Sequence, residues 1–368
     1  MGHLALYREF RPNTFDFVIG QDAIVNTLKN QVKTGEISHA YLFTGSRGTG
    51  KTSCAKIFAK AINCLAPVDG SPCMKCENCL AGDGGLDIIE IDAASNNSVE
   101  DIRDIVSNLK FLPTNGKYKV YIIDEVHMLS LSAFNALLKS IEEPPSHVVF
   151  ILATTEVHKI PKTILSRVVR FDFRLVSVED LVSLLKRIFD AKGIKADEEA
   201  LVAIARSGEG SVRDTLSIAE GISAYAYKDI SYLDVQNSLG LSDTDTLIAL
   251  TDCIHKSRIG ELFSMTNDLY TKGKNMATLA KDMTIHFRNL LIIKSTEGAN
   301  NILRLPKEDY EKMKNQANDI EVANLLFCLK RFTEIEADLR YSISPRMLIE
   351  MTALDCVRAL DGKLQVSP

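Results

Sequence analysis

The run Ala40-Tyr-Leu-Phe-Thr-Gly-Ser-Arg-Gly-Thr-Gly-Lys-Thr-Ser53 restricts the fold more than any other stretch, because it joins a short apolar segment to a loop of the form G-x-x-x-x-G-K-[ST], Gly45 to Thr52. Gly45, Gly48 and Gly50 let the backbone curl so that successive N–H groups point inward at an anion, a curl that a Cβ would obstruct. Lys51 then reaches the β- and γ-phosphates of a bound nucleotide, and Thr52 offers its hydroxyl to Mg²⁺. Ser46, Arg47, Thr49 and Ser53 complete the loop. Residues 53–61 have helical composition, which places the positive end of a helix dipole beneath the phosphates. The motif requires a strand before it and a helix after it, and both are present, so the expected ligand is a nucleoside triphosphate.

A phosphate loop gains meaning from the groups that other strands bring to it. Lys117-Tyr-Lys-Val-Tyr-Ile-Ile-Asp124-Glu125 delivers two adjacent carboxylates at the end of an apolar strand, the edge at which open α/β sheets bind ligands. Asp124 is placed to hold Mg²⁺ through its water shell, and Glu125 to polarise a water for attack on the γ-phosphate. Val148 to Ala153 reads as another buried strand ending at Thr154-Thr155, hydroxyls suited to orienting that water. Between them, His127 to Glu142 carries an apolar-faced helix stopped by Pro144-Pro145. Upstream, Leu86 to Asp92 reads as a buried strand, and Ser98 with Asp101 fits a cap for a helix running to about Leu109. Ile160 to Arg167 is a short helical element ending in a cation, before a strand at residues 168–173. Alternating strands and helices of this kind describe a parallel, helix-covered sheet.

The N-terminal arm, Tyr7-Arg-Glu-Phe-Arg-Pro12 and then Phe15 to Gln21, precedes a helix with Ile24, Val25, Leu28 and Val32 on one face. The arm serves N-terminal packing, and Tyr7, Arg8, Val18 and Ile19 are also candidates to flank an adenine ring. After the phosphate loop, Cys64, Cys73, Cys76 and Cys79 form C-x₈-C-x₂-C-x₂-C. Overlapping C-x₂-C steps wrap a backbone around a tetrahedral ion, and four sulfurs leave no position open for water, so a structural Zn²⁺ is expected over a redox pair or an iron–sulfur cluster. Cys54, Cys253, Cys328 and Cys356 read as isolated core residues. The net charge of −5 removes a strongly basic footprint as a guide to nucleic acid, and the absence of a long apolar run or signal-like N-terminus makes a cytoplasmic, membrane-independent protein the expectation.

Gly-Ser-Arg-Gly-Thr-Gly-Lys-Thr at 45–52, the cysteine knuckle, Ile-Ile-Asp-Glu-Val-His-Met-Leu, Ala-Thr-Thr-Glu and Leu-Ser-Arg together resemble the gamma/tau family of clamp-loader ATPases of bacterial DNA polymerase III, which are AAA+ proteins. The resemblance runs to about residue 240. It implies that Lys51 and Thr52 are the phosphate-loop residues, Asp124 and Glu125 the Walker B pair, and Thr155 the first sensor. Arg213 in Gly-Ser-Val-Arg-Asp would be the second sensor, reaching from a lid to the γ-phosphate. Arg167 would act in trans as an arginine finger on a neighbour's nucleotide; the family's Ser-Arg-Cys reads Ser166-Arg167-Val168 here, which keeps the guanidinium that such a role uses. Without the family, both arginines read as surface ion-pair partners.

The implied layout is a P-loop AAA+ domain over residues 1–176 with the four-cysteine zinc insertion at 64–79, a helical lid at 177–240 and a helical oligomerisation collar at 241–368. The lid region carries helical periodicity and no strand signal, with Gly208 and Gly210 bracketing the turn into the Arg213 helix. In the collar, Met276, Leu279, Met283, Phe287 and Leu290 repeat at helical spacing, and Tyr341 to Pro345 interrupts the pattern. Implied partners are delta- and delta-prime-like subunits and further copies of the chain in a pentamer, the sliding clamp and primer–template DNA, the last near the uncharged loop Ser95 to Ser98. The expected activity is ATP-driven clamp loading. A subunit that holds ATP without turnover, or another AAA+ ATPase that remodels DNA, is the alternative.

Overall fold

The computed structural model describes residues 5–81, 86–303, 305–339 and 341–360, which divide into two compact units, 1–229 and 230–368. The first is built on parallel strands β1 (Ala40–Thr44), β2 (Ile88–Asp92), β3 (Lys119–Asp124), β4 (Val148–Thr154) and β5 (Val169–Asp172), in spatial order β2-β3-β4-β1-β5. Its helices are α1 (Leu6–Glu9), α2 (Asp22–Thr34), α3 (Lys51–Ile62), α4 (Glu77–Leu80), α5 (Val99–Asn108), α6 (Leu131–Glu142), α7 (Lys162–Leu165), α8 (Val178–Lys192), α9 (Glu198–Ser207) and α10 (Val212–Ala226).

The alternation of side chains along β1 splits the core in two. Tyr41 and Phe43 face the layer of α2 and α3, where they meet Phe58 and Phe171, whereas Ala40 and Leu42 join Phe134, Leu137 and Ile141 of α6 on the other face. A strand buried on both faces must be apolar throughout, which is why β1 and β4 read as continuous hydrophobic runs. Helix starts follow from local chemistry. Ser98 Oγ accepts the Asp101 N–H while the Asp101 carboxylate accepts the Ser98 N–H, each at 3.1 Å, and Ser130 Oγ accepts the Ala133 N–H at 3.2 Å.

β2 departs from the expectation of a buried strand over residues 86–92. It begins at Ile88, lies at the sheet edge and is only half buried. Asp87 serves a turn instead: its carboxylate accepts the N–H groups of Thr114, Asn115 and Gly116 at 2.6, 2.8 and 2.7 Å. Burial pushes this carboxyl up, but the three donors outweigh it and hold it below the ordinary range. A second departure lies among the lid helices, where Lys195–Ala196 forms a two-residue strand and the Lys195 N–H donates to the Lys228 carbonyl at 2.8 Å. Two residues are too few to register as a pattern.

The second unit is helical: α11 (Tyr232–Leu239), α12 (Thr244–His255), α13 (Ile259–Thr271), α14 (Met276–Ser295), α15 (Asn300–Leu303), α16 (Lys307–Asp319), α17 (Val322–Leu339) and α18 (Pro345–Leu360). The stripe Leu279, Met283, Phe287 and Leu290 on α14 forms its core with Leu325 and Phe332 of α17, the two phenylalanine rings 5.5 Å apart. Cys54 and Cys253 are buried as expected, but Cys328 and Cys356 are not isolated from one another. A hydrogen bond between their side chains, with burial, pushes the Cys356 thiol far above its ordinary value. Among the described residues no helix is long and apolar enough to cross a membrane.

One polar chain crosses this helical core. His286 Nε2 lies 2.9 Å from Gln316 Oε1, and the Gln316 amide donates to Asp252 Oδ1 at 2.6 Å and to the Ile248 carbonyl at 2.8 Å. Burial holds His286 down to about 4, against the ordinary value of about 6.5, so the folded unit keeps the ring neutral while the unfolded chain binds a proton. Stability attached to the neutral ring is therefore present above pH 6.5 and is lost as pH falls towards 4. The wild type should lose about 2 kcal/mol from this group between pH 7 and pH 5, and His286→Gln should remove that slope, read as urea midpoints at the two pH values.

Candidate nucleotide site and metal centre

The parallel order brings the ends of β1, β4 and β3 side by side, with Thr44 paired to Thr154 in register. The loop leaving β1 curls as its glycines permit. Gly45 has φ +146°, and a Cβ there would stand 2.3 Å from the Phe173 carbonyl oxygen; Gly48 has φ +76°, and a Cβ there would stand 1.9 Å from Ser211 Oγ. The Val212 N–H, at the start of α10, donates to the Gly48 carbonyl at 3.0 Å. The lid helix thus begins on the loop itself.

Lys51 Nζ donates to the carbonyls of Gly45 and Ser46 at 2.7 and 2.8 Å, and the residue is almost fully buried. Burial pushes its ammonium below the ordinary lysine value, opposed by Glu125 and Asp124. A cation already stripped of water attracts an anion more strongly than a hydrated one. Thr52 Oγ1 donates to Asp124 Oδ2 at 2.6 Å, and Asp124 Oδ1 accepts the Glu125 N–H at 2.9 Å. The hydroxyl and carboxylate expected to share Mg²⁺ are therefore in contact.

Glu125 adopts φ +47°, ψ +44°, a left-handed conformation uncommon for a side chain of this size and found where a site holds it in place. Its Oε2 accepts the Thr155 hydroxyl at 3.2 Å. His127 lies beside it, with Nδ1 3.4 Å from the same oxygen and 3.1 Å from Thr154 Oγ1, and Nε2 3.3 Å from Glu156 Oε1.

A cavity of about 670 Å³ opens over this floor. Its lining holds Tyr7, Arg8, Val18, Ile19, Arg47, Gly48, Thr49, Gly50, Lys51, Thr52, Ser53, Asp124, Glu125 and Arg213. Gly45 and Ser46 stand below it through Lys51, and Thr155 reaches it through Glu125. Arg213 lies over the Tyr7 ring, 5.1 Å from its centroid, so arm and lid meet across the cavity. Arg167 is elsewhere: in this chain it forms a surface ion pair with Glu142 at 2.9 Å and donates to the Thr163 carbonyl at 2.8 Å.

Several lining residues carry no motif. Arg11 Nε donates to Ser53 Oγ at 3.0 Å, Lys56 pairs with Glu90 at 2.6 Å, and Leu184 and Leu216 supply apolar wall from the lid. The aromatic arm hinted at Arg11 through its proximity to Tyr7; the other contacts arise only when β2 and the lid are folded against α3.

The four cysteines of the insertion converge, their Sγ atoms all within 4.8 Å of one another. Cys64 and Cys76 are 3.9 Å apart, as are Cys73 and Cys79. Tetrahedral Zn²⁺ with bonds of about 2.3 Å separates its sulfurs by about 3.8 Å, so the set fits that ion. Cys73 Sγ accepts the N–H groups of Lys75 and Cys76 at 3.5 and 3.3 Å, and these hold its thiol below the ordinary value, nearer the thiolate a metal binds.

Loop, carboxylates and overlying lid define a P-loop nucleotide-binding module. Family models match three consecutive stretches: "DNA polymerase III, delta subunit" over residues 20–177, "DNA polymerase III clamp loader subunit, ATPase lid domain" over 180–224, and "DNA polymerase III subunits gamma and tau domain III" over 230–363. The chain is 36% identical to the DNA polymerase III subunit gamma of Buchnera aphidicola over 97% of its own length and 99% of that protein's. It is 42% identical to the subunit tau of Bacillus subtilis over 96% of its length and 63% of that protein's, and 36% identical to that of Escherichia coli over 96% and 55%. The chain belongs to the DNA polymerase III gamma/tau family. It spans about half to two thirds of the length of these two tau relatives.

Purified protein should carry one zinc per chain by elemental analysis. Replacing Cys76 and Cys79 together with Ser should abolish that zinc and make the insertion protease-sensitive, while leaving the sheet's melting transition within a few degrees.

Proposed function

We propose that the chain is an ATP-hydrolysing motor subunit of the bacterial replicative clamp loader, acting in the cytoplasm. ATP binding would help open the sliding clamp for loading onto primer–template DNA, and hydrolysis would release it. The observation that supports turnover over passive nucleotide holding is the arrangement of Thr52, Asp124, Glu125 and Thr155, in which each group already has the hydrogen-bond partner its role needs.

In this reading Lys51 and the N–H groups of residues 45–52 hold the β- and γ-phosphates, with Tyr7, Arg8, Val18 and Ile19 around the base. Thr52 and Asp124 hold Mg²⁺, which when bound neutralises charge on the phosphate oxygens. Glu125, oriented by Thr155, accepts a proton from the attacking water, and Arg213 approaches the γ-phosphate from the lid. Arg167, being on the surface and outside the cavity, serves the nucleotide of a neighbouring subunit.

The module at 1–176, the lid at 177–240 and the collar at 241–368 form the proposed working parts. Delta- and delta-prime-like subunits and further copies of the chain complete a pentamer, and the Ser95 to Ser98 loop faces DNA phosphates through backbone N–H groups and amides. The four-cysteine centre is proposed as structural Zn²⁺.

The test is ATP hydrolysis by the reconstituted assembly with clamp and DNA. Lys51→Ala should abolish nucleotide binding, whereas Glu125→Gln should bind ATP and hydrolyse it about a hundredfold or more slowly. Equal rates in wild type and Glu125→Gln would sink the motor reading. Arg167→Ala should slow hydrolysis by about a thousandfold in the assembly and leave the isolated chain's ATP affinity unchanged; lost affinity there would mean that the arginine serves its own chain.

A further inference from the structure

Glu125 is held from one side by Thr155, but its other close neighbour is a side chain that the nucleotide-site motifs leave without a role. The His127 ring is 7% exposed, and each of its nitrogens faces a carboxylate oxygen: Nδ1 the Oε2 of Glu125 at 3.4 Å, Nε2 the Oε1 of Glu156 at 3.3 Å. Thr154 Oγ1, 3.1 Å from Nδ1, accepts the Glu156 N–H at 3.0 Å, so the strand end that supplies Thr155 also braces the ring. Glu156 is tied outward in turn, to Lys159 at 2.9 Å and His158 at 3.5 Å.

We infer that His127 is a positioning residue for hydrolysis: it fixes the rotamer of Glu125 and links that carboxylate to the Glu156–Lys159 segment, which leads directly into α7 and Arg167. The inference rests on the ATPase reading proposed above. Its physical basis is the geometry of the pair. A glutamate carboxylate swings on three torsions, and one hydroxyl fixes one oxygen without fixing the plane of the group. A buried ring against the same oxygen, anchored at its far nitrogen, restricts that swing. Glu125 sits at the left-handed start of the 3₁₀ turn Val126–Met128 that carries His127, so the two side chains leave the same tight turn at the end of β3. Because the ring touches Glu125 and lies outside the cavity lining, its removal should affect turnover rather than binding.

The experiment measures steady-state hydrolysis and equilibrium ATP binding for the complete assembly with clamp and DNA, comparing wild type, His127→Ala, His127→Gln, Glu156→Gln and Glu125→Gln. His127→Ala should lower kcat about 10- to 100-fold with ATP affinity within about twofold of wild type, the size of effect expected when a reacting group is displaced by about 1 Å. His127→Gln, which restores a donor near Glu125, should recover part of the loss. Glu156→Gln loosens the outer anchor from a half-exposed position and should cost about threefold in kcat, giving a readout that does not depend on filling a buried site. If Glu125→Gln is slow while both His127 variants and Glu156→Gln match wild type, the inference is overturned and the ATPase reading stands. If wild type and Glu125→Gln hydrolyse equally, the reading beneath it has failed instead. Loss of affinity in parallel with kcat would assign His127 to nucleotide binding and also overturn the inference.

Discussion

The pairing of β4 with β1 on one side and β3 on the other is the constraint on which the site depends. Each strand contributes a different chemical group at its carboxyl end: a phosphate loop after Thr44, two carboxylates at Asp124 and Glu125, a pair of hydroxyls at Thr154 and Thr155. Parallel pairing puts all three ends on one edge, and the order β3-β4-β1 puts the hydroxyls between the carboxylates and the loop. The 2.6 Å contact from Thr52 to Asp124 closes the arrangement by joining the first turn of α3 to β3. A one-residue slip of β1 would exchange Tyr41 and Phe43 in one layer for Leu42 in the other, so the fit of large and small side chains holds the chemistry in register.

Legibility in the sequence divides by the range of the interaction. The glycine loop, the Asp124–Glu125 pair and the cysteine spacing announce themselves because each is local: the function needs those residue types at fixed short separations. The helix cap at Ser98 is local too and is legible for the same reason, whereas the cap at Ser130 is hidden inside a helix expected to start at His127. The edge position of β2 is not, because burial of a strand is decided by its neighbours. Arg11 against Ser53, Lys56 against Glu90, and Cys328 against Cys356 join residues far apart in the chain, with no periodicity to mark them. His127 is an intermediate case. Its proximity to Glu125 in sequence is plain, but the partners that hold its ring, Thr154 and Glu156, come from the next strand end, far along the chain.

The two units use polarity in opposite ways. In the first, partly buried charges gather at one edge of the sheet and are held by backbone donors or by each other, an arrangement in which desolvation strengthens every interaction with a bound anion. In the second, a histidine–glutamine–aspartate chain is threaded through the helical core, and its terminal ring is kept neutral. Such a chain adds little net stability, but it permits only one register of α12, α14 and α16 against each other, because any slip strands a buried polar group.

Gly48 has a consequence for movement. The absence of a side chain there serves two surfaces at once, since the same atom that would crowd an anion would also collide with Ser211 at the root of α10. Loop and lid are therefore geared together, with the Val212–Gly48 hydrogen bond as the meshing tooth. A side chain at residue 48 would meet Ser211 and Arg213 at the root of α10 and, at φ +76°, would strain the loop itself. One position thus answers to the loop and to the lid at once.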